Sequence, residues 1–275
     1  MSGKTLEVDG DPQFQNYIDV EYTDSSKTTI SVSIGILPPG QQMPFRDPSD
    51  IFTDFPAKGV KLVWVRGGEA DDQIGVGCNA TDANGQYIGF DITTRVDALD
   101  GNNRVFAPNQ NITVNCGSGN DTVAVGNGND ILRGGAGDDL LGAGDGRDEI
   151  SGGAGNDWII GGMGRETITG GAGNDRIGVQ DLAHGGDLIY CGAGDDSVTC
   201  GNGNDTIWGG AGNDTMTACY GNVVFGIGIG TDTAISYNKA TFYTPNISLD
   251  RTSYAAGVDK IVKAVSKNET NAPVI

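Results

Sequence analysis

Between Cys116 and Thr217 a nine-residue unit recurs eleven times, and no other feature limits the fold so severely. The units read CGSGNDTVA, VGNGNDILR, GGAGDDLLG, AGDGRDEIS, GGAGNDWII, GGMGRETIT and GGAGNDRIG. After the three residues Val179, Gln180 and Asp181 they resume as LAHGGDLIY, CGAGDDSVT, CGNGNDTIW and GGAGNDTMT. A unit this short cannot bury its own apolar side, so such a chain has to stack unit on unit as a solenoid.

Each place in the unit has its own chemistry. The sixth is acidic throughout: Asp121, Asp130, Asp139, Asp148, Asp157, Glu166, Asp175, Asp187, Asp196, Asp205 and Asp214. The eighth is apolar throughout: Val123, Leu132, Leu141, Ile150, Ile159, Ile168, Ile177, Ile189, Val198, Ile207 and Met216. One large apolar side chain in nine, between polar or small neighbours, fits a very short strand that turns a single residue inward. Glycine fills most of the first four places, where the backbone has to turn tightly and reach positive φ without a Cβ clash. A turn lined with carbonyls and closed by a carboxylate presents hard oxygen donors, the set that calcium takes. A solvated or disordered acidic tract, the competing reading, does not account for an aliphatic at every ninth residue.

The unit resembles GGxGxDxUx, the nonapeptide of the RTX (repeats-in-toxin, hemolysin-type) calcium-binding β-roll. The resemblance implies an all-β chain: a right-handed parallel β-roll or β-solenoid, two nonapeptides to a turn, with a β-rich N-terminal cap and a small C-terminal cap. It also implies Ca2+ between loops one turn apart, held by the sixth-position acids and by turn carbonyls, here those of Gly117, Gly119, Gly135, Gly137, Gly153, Gly155, Gly171, Gly173, Gly192, Gly194, Gly210 and Gly212. Alternate units share an edge. Asp121, Asp139, Asp157, Asp175, Asp196 and Asp214 line one, and Asp130, Asp148, Glu166, Asp187 and Asp205 the other, which gives up to five and four sites, about nine ions in all. The pattern is weakest at Glu166 and at the Asp175/Asp196 pair, which the insertion separates. Stacked carboxylates repel one another and short strands bury little apolar area, so metal binding and folding are expected to be one process.

Composition agrees with a cation as the principal counter-charge. With 17 basic and 36 acidic residues the net charge is −19, which argues against nucleic acid or an anionic membrane as partner. No apolar run is long enough to span a bilayer, and MSGKTLEVDGDPQ does not read as a cleaved signal peptide. A single histidine, His184, excludes an HExxH site, and neither a GxSxG elbow nor a P-loop occurs. His184 reads as an exposed loop residue or as a neighbour of the metal loops. Of the five cysteines, Cys78, Cys116, Cys191, Cys200 and Cys219, three stand at the first place of a unit, where a small residue is tolerated. Cys200 and Cys219 fall about one turn apart, and a disulfide between them is left open.

The flanks differ from the repeat. Residues 1–60 read as a β-rich lead-in or cap, with strands over Asn16 to Tyr22 and Thr28 to Ile36 and a proline-rich loop from Leu37 to Phe55. Residues 61–115 read as irregular solenoid turns. GGEADDQIG, from Gly67, keeps Asp72 and Ile74 in register, with Asp71 and Asp72 as an extra candidate calcium pair. ALDGNNRVF, from Ala98, keeps Gly101 and Val105 but carries Asn103 where the acid belongs. The roll is expected over 116–225. In the closing cap, 226–275, Thr233 to Tyr237 and Ala240 to Tyr243 read as strands. Val258, Ile261, Val262 and Val265 are at helical spacing in Tyr254 to Ser266. The resemblance also makes this end a candidate export signal for type I secretion.

On the outer faces Leu140 and Trp158 are expected in one column with Ile160 beside them, and Tyr190 and Trp208 in another, about 4.8 Å apart. Such rows are either covered by a terminal segment or serve assembly with another subunit or surface. The sequence therefore points to a non-catalytic, calcium-binding structural or adhesive protein of an extracellular or particle surface, secreted or at the cell surface. Two alternatives remain: a virion surface or decoration protein, and an RTX-type secreted hydrolase or polysaccharide-modifying enzyme.

Overall fold

A computed structural model of the chain describes residues 4–22, 29–36, 52–58, 60–77, 92–180, 185–219, 221–236, 240–243, 248–250 and 260–265. The described residues are all-β, in parallel stacked coils of a β-solenoid, with no helix among them. The chain divides into two units, Met1–Ala136 with Leu140–Gly144, and Gly137–Asp139 with Asp145–Ile275.

In the first unit one parallel sheet runs in the order Lys4–Asp9, Val60–Gly68, Thr93–Leu99, Ile112–Ser118, Ile131–Ala136. The facing sheet holds Asn16–Tyr22, Gln73–Val76, Arg104–Asn109, Thr122–Asn127 and Leu140–Gly142 in parallel. Thr29–Ile36 and Phe52–Pro56 are added antiparallel at its open edge. Parallel stacking thus begins at Lys4–Asp9, ahead of the start near Lys61 that the glycine pattern suggested. The two expected lead-in strands are present as Asn16–Tyr22 and Thr29–Ile36.

Inward residues form two columns. Register places Val8, Val65, Val96, Val114 and Leu132 one above another. Ile18, Ile74, Val105, Val123 and Leu141 make the other column. All are buried. Each such side chain contributes roughly 1.5–3 kcal/mol, and β-branched residues fill these columns because they pack well on a pleated surface.

The second unit repeats the plan with shorter strands. Ile150, Ile168, Ile189, Ile207 and Phe225 are in register in one sheet, and Ile159, Ile177, Val198, Met216 and Ala234 in the other. The parallel stack is closed by Lys260–Val265, which pairs antiparallel with Thr231–Ser236 and with Ser248–Asp250. This corrects the helix expected there. Ile261, Val262 and Val265 are β-branched, and an open strand edge offers the backbone partners that a short helix would have to find within itself. The rest of that stretch, 254–259 and 266, lies outside the described residues, as do Cys78 and His184.

Candidate metal centre

The eleven sixth-position acids end each tight turn, and every one of them is buried at 1–3 % exposure. The turn is bought by glycine: all twelve glycines expected to present carbonyls, from Gly117 to Gly212, have positive φ. Gly173 shows why no other residue serves. Its φ is +127°, and a Cβ there would stand 2.0 Å from the carbonyl oxygen of Gly155 in the preceding coil. Coil backbones approach so closely that carbonyl oxygens lie against glycine Cα atoms.

Within the second unit, Asp139, Asp157, Asp175, Asp196, Asp214 and Asp232 make a continuous inner row. The backbone N–H of each donates to Oδ1 of the next: Asp139 to Asp157 at 2.9 Å, Asp157 to Asp175 at 2.8 Å and Asp175 to Asp196 at 2.7 Å. Asp196 N–H reaches Asp214 at 3.0 Å, and Asp214 N–H reaches Asp232 at 2.9 Å. The Asp175/Asp196 step is in register across the three-residue insertion. The other edge has the same links from Glu166 to Asp187 at 3.0 Å and from Asp187 to Asp205 at 3.1 Å.

In six of these carboxylates one oxygen is therefore used and the other is not. Oδ2 of Asp157, Asp175, Asp187, Asp196, Asp214 and Asp232 is buried and accepts no hydrogen bond. A buried charged oxygen without a partner is costly. Burial accordingly pushes Asp175 up to about 6, Asp196 and Asp214 to about 7, and Asp157 and Asp232 in the same direction. The backbone N–H donated to each opposes the shift, and neighbouring carboxylates add to it at Asp175, Asp196 and Asp214.

Among the described residues no three His, Cys, Asp or Glu side chains converge as a cage. A cation meeting the orphaned oxygens would have to complete its shell with turn carbonyls, as hard, oxygen-seeking calcium does. The residues present fit such an ion.

A second row, not foreseen from the sequence, runs outside the first. Asn156 N–H donates to Asp138 Oδ1 at 2.6 Å, Asn174 N–H to Asn156 at 2.9 Å, Asp195 N–H to Asn174 at 2.7 Å and Asn213 N–H to Asp195 at 2.7 Å. Its donors point opposite to those of the inner row, so each coil is tied to its neighbour in both directions at one corner. Asp232 was also missed, although Gly230 and Asp232 in IGIGTDTAI, from Ile227, keep the fourth and sixth places of the unit.

Other expected residues are placed as follows. Asp72 accepts from Asn16 N–H at 2.6 Å, Asn16 Nδ2 at 2.9 Å and Gly68 N–H, so its carboxylate is held by protein donors. Asp71 accepts from Asn102 N–H at 2.7 Å. Cys116, Cys191, Cys200 and Cys219 are thiols rather than disulfides, and burial pushes Cys191 and Cys200 up. Leu140 is 36 % exposed and pairs with Thr122. Trp158, 49 % exposed, pairs with Arg176, whose guanidinium carbon lies 5.3 Å from the ring centroid. Ile160 is half-buried beside Gly178. Tyr190 and Trp208 are in register and half-buried, with the Trp208 ring lying over Gly226.

No curated protein and no solved structure matches the chain. A family model does: the RTX calcium-binding nonapeptide repeat (4 copies), over residues 117–150, 142–177 and 185–217. These segments carry all eleven sixth-position acids and all eleven eighth-position aliphatics. Repeat, parallel coil and family model agree: the matched segments are RTX calcium-binding nonapeptide repeats, the kind that binds Ca2+, and they fit an RTX β-roll.

Proposed function

We propose that calcium lies along the buried acid rows. Its ligands are Asp139, Asp157, Asp175, Asp196 and Asp214 on one edge, Asp148, Glu166, Asp187 and Asp205 on the other, and Asp121 and Asp130 in the first unit. Carbonyls of the paired turn glycines, such as Gly153/Gly155, Gly171/Gly173, Gly192/Gly194 and Gly210/Gly212, supply further oxygens. Asp232 extends the first row beyond the eleven units. The observation that carries this reading is the buried Oδ2 without a protein donor at Asp157, Asp175, Asp187, Asp196, Asp214 and Asp232. A divalent ion supplies positive charge between coils; the chain's own part is to align oxygens, exclude water and stack the aliphatic columns.

The role that follows is structural and non-catalytic: a calcium-stabilised element working outside the cell, as a scaffold or adhesive part of a surface assembly. The weak calcium affinities typical of extracellular modules suit a chain that stays open where free calcium is low. Circular dichroism of the purified chain in EGTA and in millimolar calcium tests the reading. The repeat's β signal is expected to collapse in chelator and return with calcium; a signal indifferent to chelation sinks it.

A further inference from the structure

In the first unit the inner row contains amides. Its members are Asn16, Asp72, Asn103 and Asp121, linked as in the second unit: Asn16 N–H to Asp72 Oδ1 at 2.6 Å, Asp72 N–H to Asn103 Oδ1 at 2.8 Å and Asn103 N–H to Asp121 Oδ1 at 2.7 Å. What sets this row apart is where the amide nitrogens point. Asn103 Nδ2 donates to the carbonyls of Leu99, Asp100 and Gly101 at 3.3, 3.4 and 3.2 Å. Leu99 and Gly101 hold the second and fourth places of their unit, the places whose carbonyls the repeats offer to calcium. Asn16 Nδ2 donates to the carbonyls of Asp11 and Phe14 at 2.9 and 2.8 Å and to the Asp72 carboxylate at 2.9 Å. Each nitrogen thus rests among turn carbonyls, and Asn16 adds a carboxylate from the next coil. Both asparagines are buried, at 0 % and 1 % exposure.

We infer that the side-chain amides of Asn16 and Asn103 are built-in substitutes for the cation, so that the coils that carry them close without metal. An NH2 group carries positive partial charge on two hydrogens and no acceptor, which is the polarity a ring of carbonyl oxygens requires. A carboxylate at position 103 would instead turn an anionic oxygen toward the carbonyls of Leu99, Asp100 and Gly101, an arrangement that only a cation relieves. This inference rests on the reading of the all-acid rows as cation sites, and it separates opening coils that close without metal from repeat coils that depend on it.

Hydrogen exchange of the full-length chain, followed by mass spectrometry in EGTA and in millimolar calcium, tests it. Peptides from 60–76 and 93–118 are expected to stay protected in both conditions, and peptides from 149–178 and 188–218 to lose protection in EGTA. Loss of protection in all of them together in EGTA overturns the inference while leaving the cation rows standing. Protection of all of them in EGTA overturns the cation rows and the inference with them. Asn103→Asp is then expected to lose protection over 60–76 and 93–118 in EGTA and to regain it in calcium. Asn103→Ala, which offers neither an amide nor a ligand, is expected to lose it in both. An Asn103→Asp chain whose exchange is the same with and without calcium overturns the inference.

Discussion

Acidifying the metal-free protein is expected to stabilise it, and adding calcium to reverse the slope. Asp175 is pushed up to about 6 and Asp196 and Asp214 to about 7, from an ordinary value of 3.8, because each keeps one carboxylate oxygen buried with no donor. A carboxyl whose folded pKa lies above its unfolded one binds more protons in the native state, so stability falls as pH rises toward the folded pKa and is restored as pH falls below it. Between pH 8 and pH 5, Asp196 and Asp214 each regain about two pKa units' worth and Asp175 about one, together on the order of 5–7 kcal/mol. Circular dichroism of protein stripped on a chelating resin, at pH 5, 6, 7 and 8, measures the effect directly: the repeat's β signal, lost without calcium near neutral pH, should return in part toward pH 5. In millimolar calcium the carboxylates are ionised ligands, protons compete with the metal, and acidification should weaken the fold. Metal-free stability that is flat, or that rises from pH 5 to pH 8, refutes the claim that these oxygens lack a partner.

Gly173→Ala combines a φ of +127° with a Cβ 2.0 Å from the Gly155 oxygen and should cost roughly 3–5 kcal/mol. Gly178→Ala has nothing within 4 Å and should stay within about 1 kcal/mol of the parent; calcium-bound melting temperatures compare the two. Leu99 stands where the repeats have glycine, at φ 70° and 44 % exposed, so Leu99→Gly should raise stability by about 0.5–1 kcal/mol in the same assay. Asp232→Asn keeps an acceptor for Asp214 N–H but removes the charge, and native mass spectrometry should find one calcium fewer than in the parent. If Trp158 and Trp208 face a partner, replacing both with Ser should leave the calcium-bound dichroism unchanged and lower the sedimentation coefficient; unchanged sedimentation removes that role.

The sequence by itself determined the solenoid, its inward aliphatics and its acid rows, because a nine-residue period repeats the same local geometry without help from distant contacts. Ile168 and Asp175 could be placed from their position in the unit alone. Only the tertiary structure decided which partners meet where the spacing is irregular. Asn16 and Asp72 are 56 residues apart and Asp72 and Asn103 are 31 apart, so no fixed period relates them, yet folding sets them in one row. The same holds for Lys4–Asp9 against Val60–Gly68, and for Lys260–Val265, whose helical spacing yields to an open strand edge. A side chain's local preference is worth tenths of a kcal/mol, whereas a buried amide or carboxylate left without its partner costs several times more, so the distant contact decides.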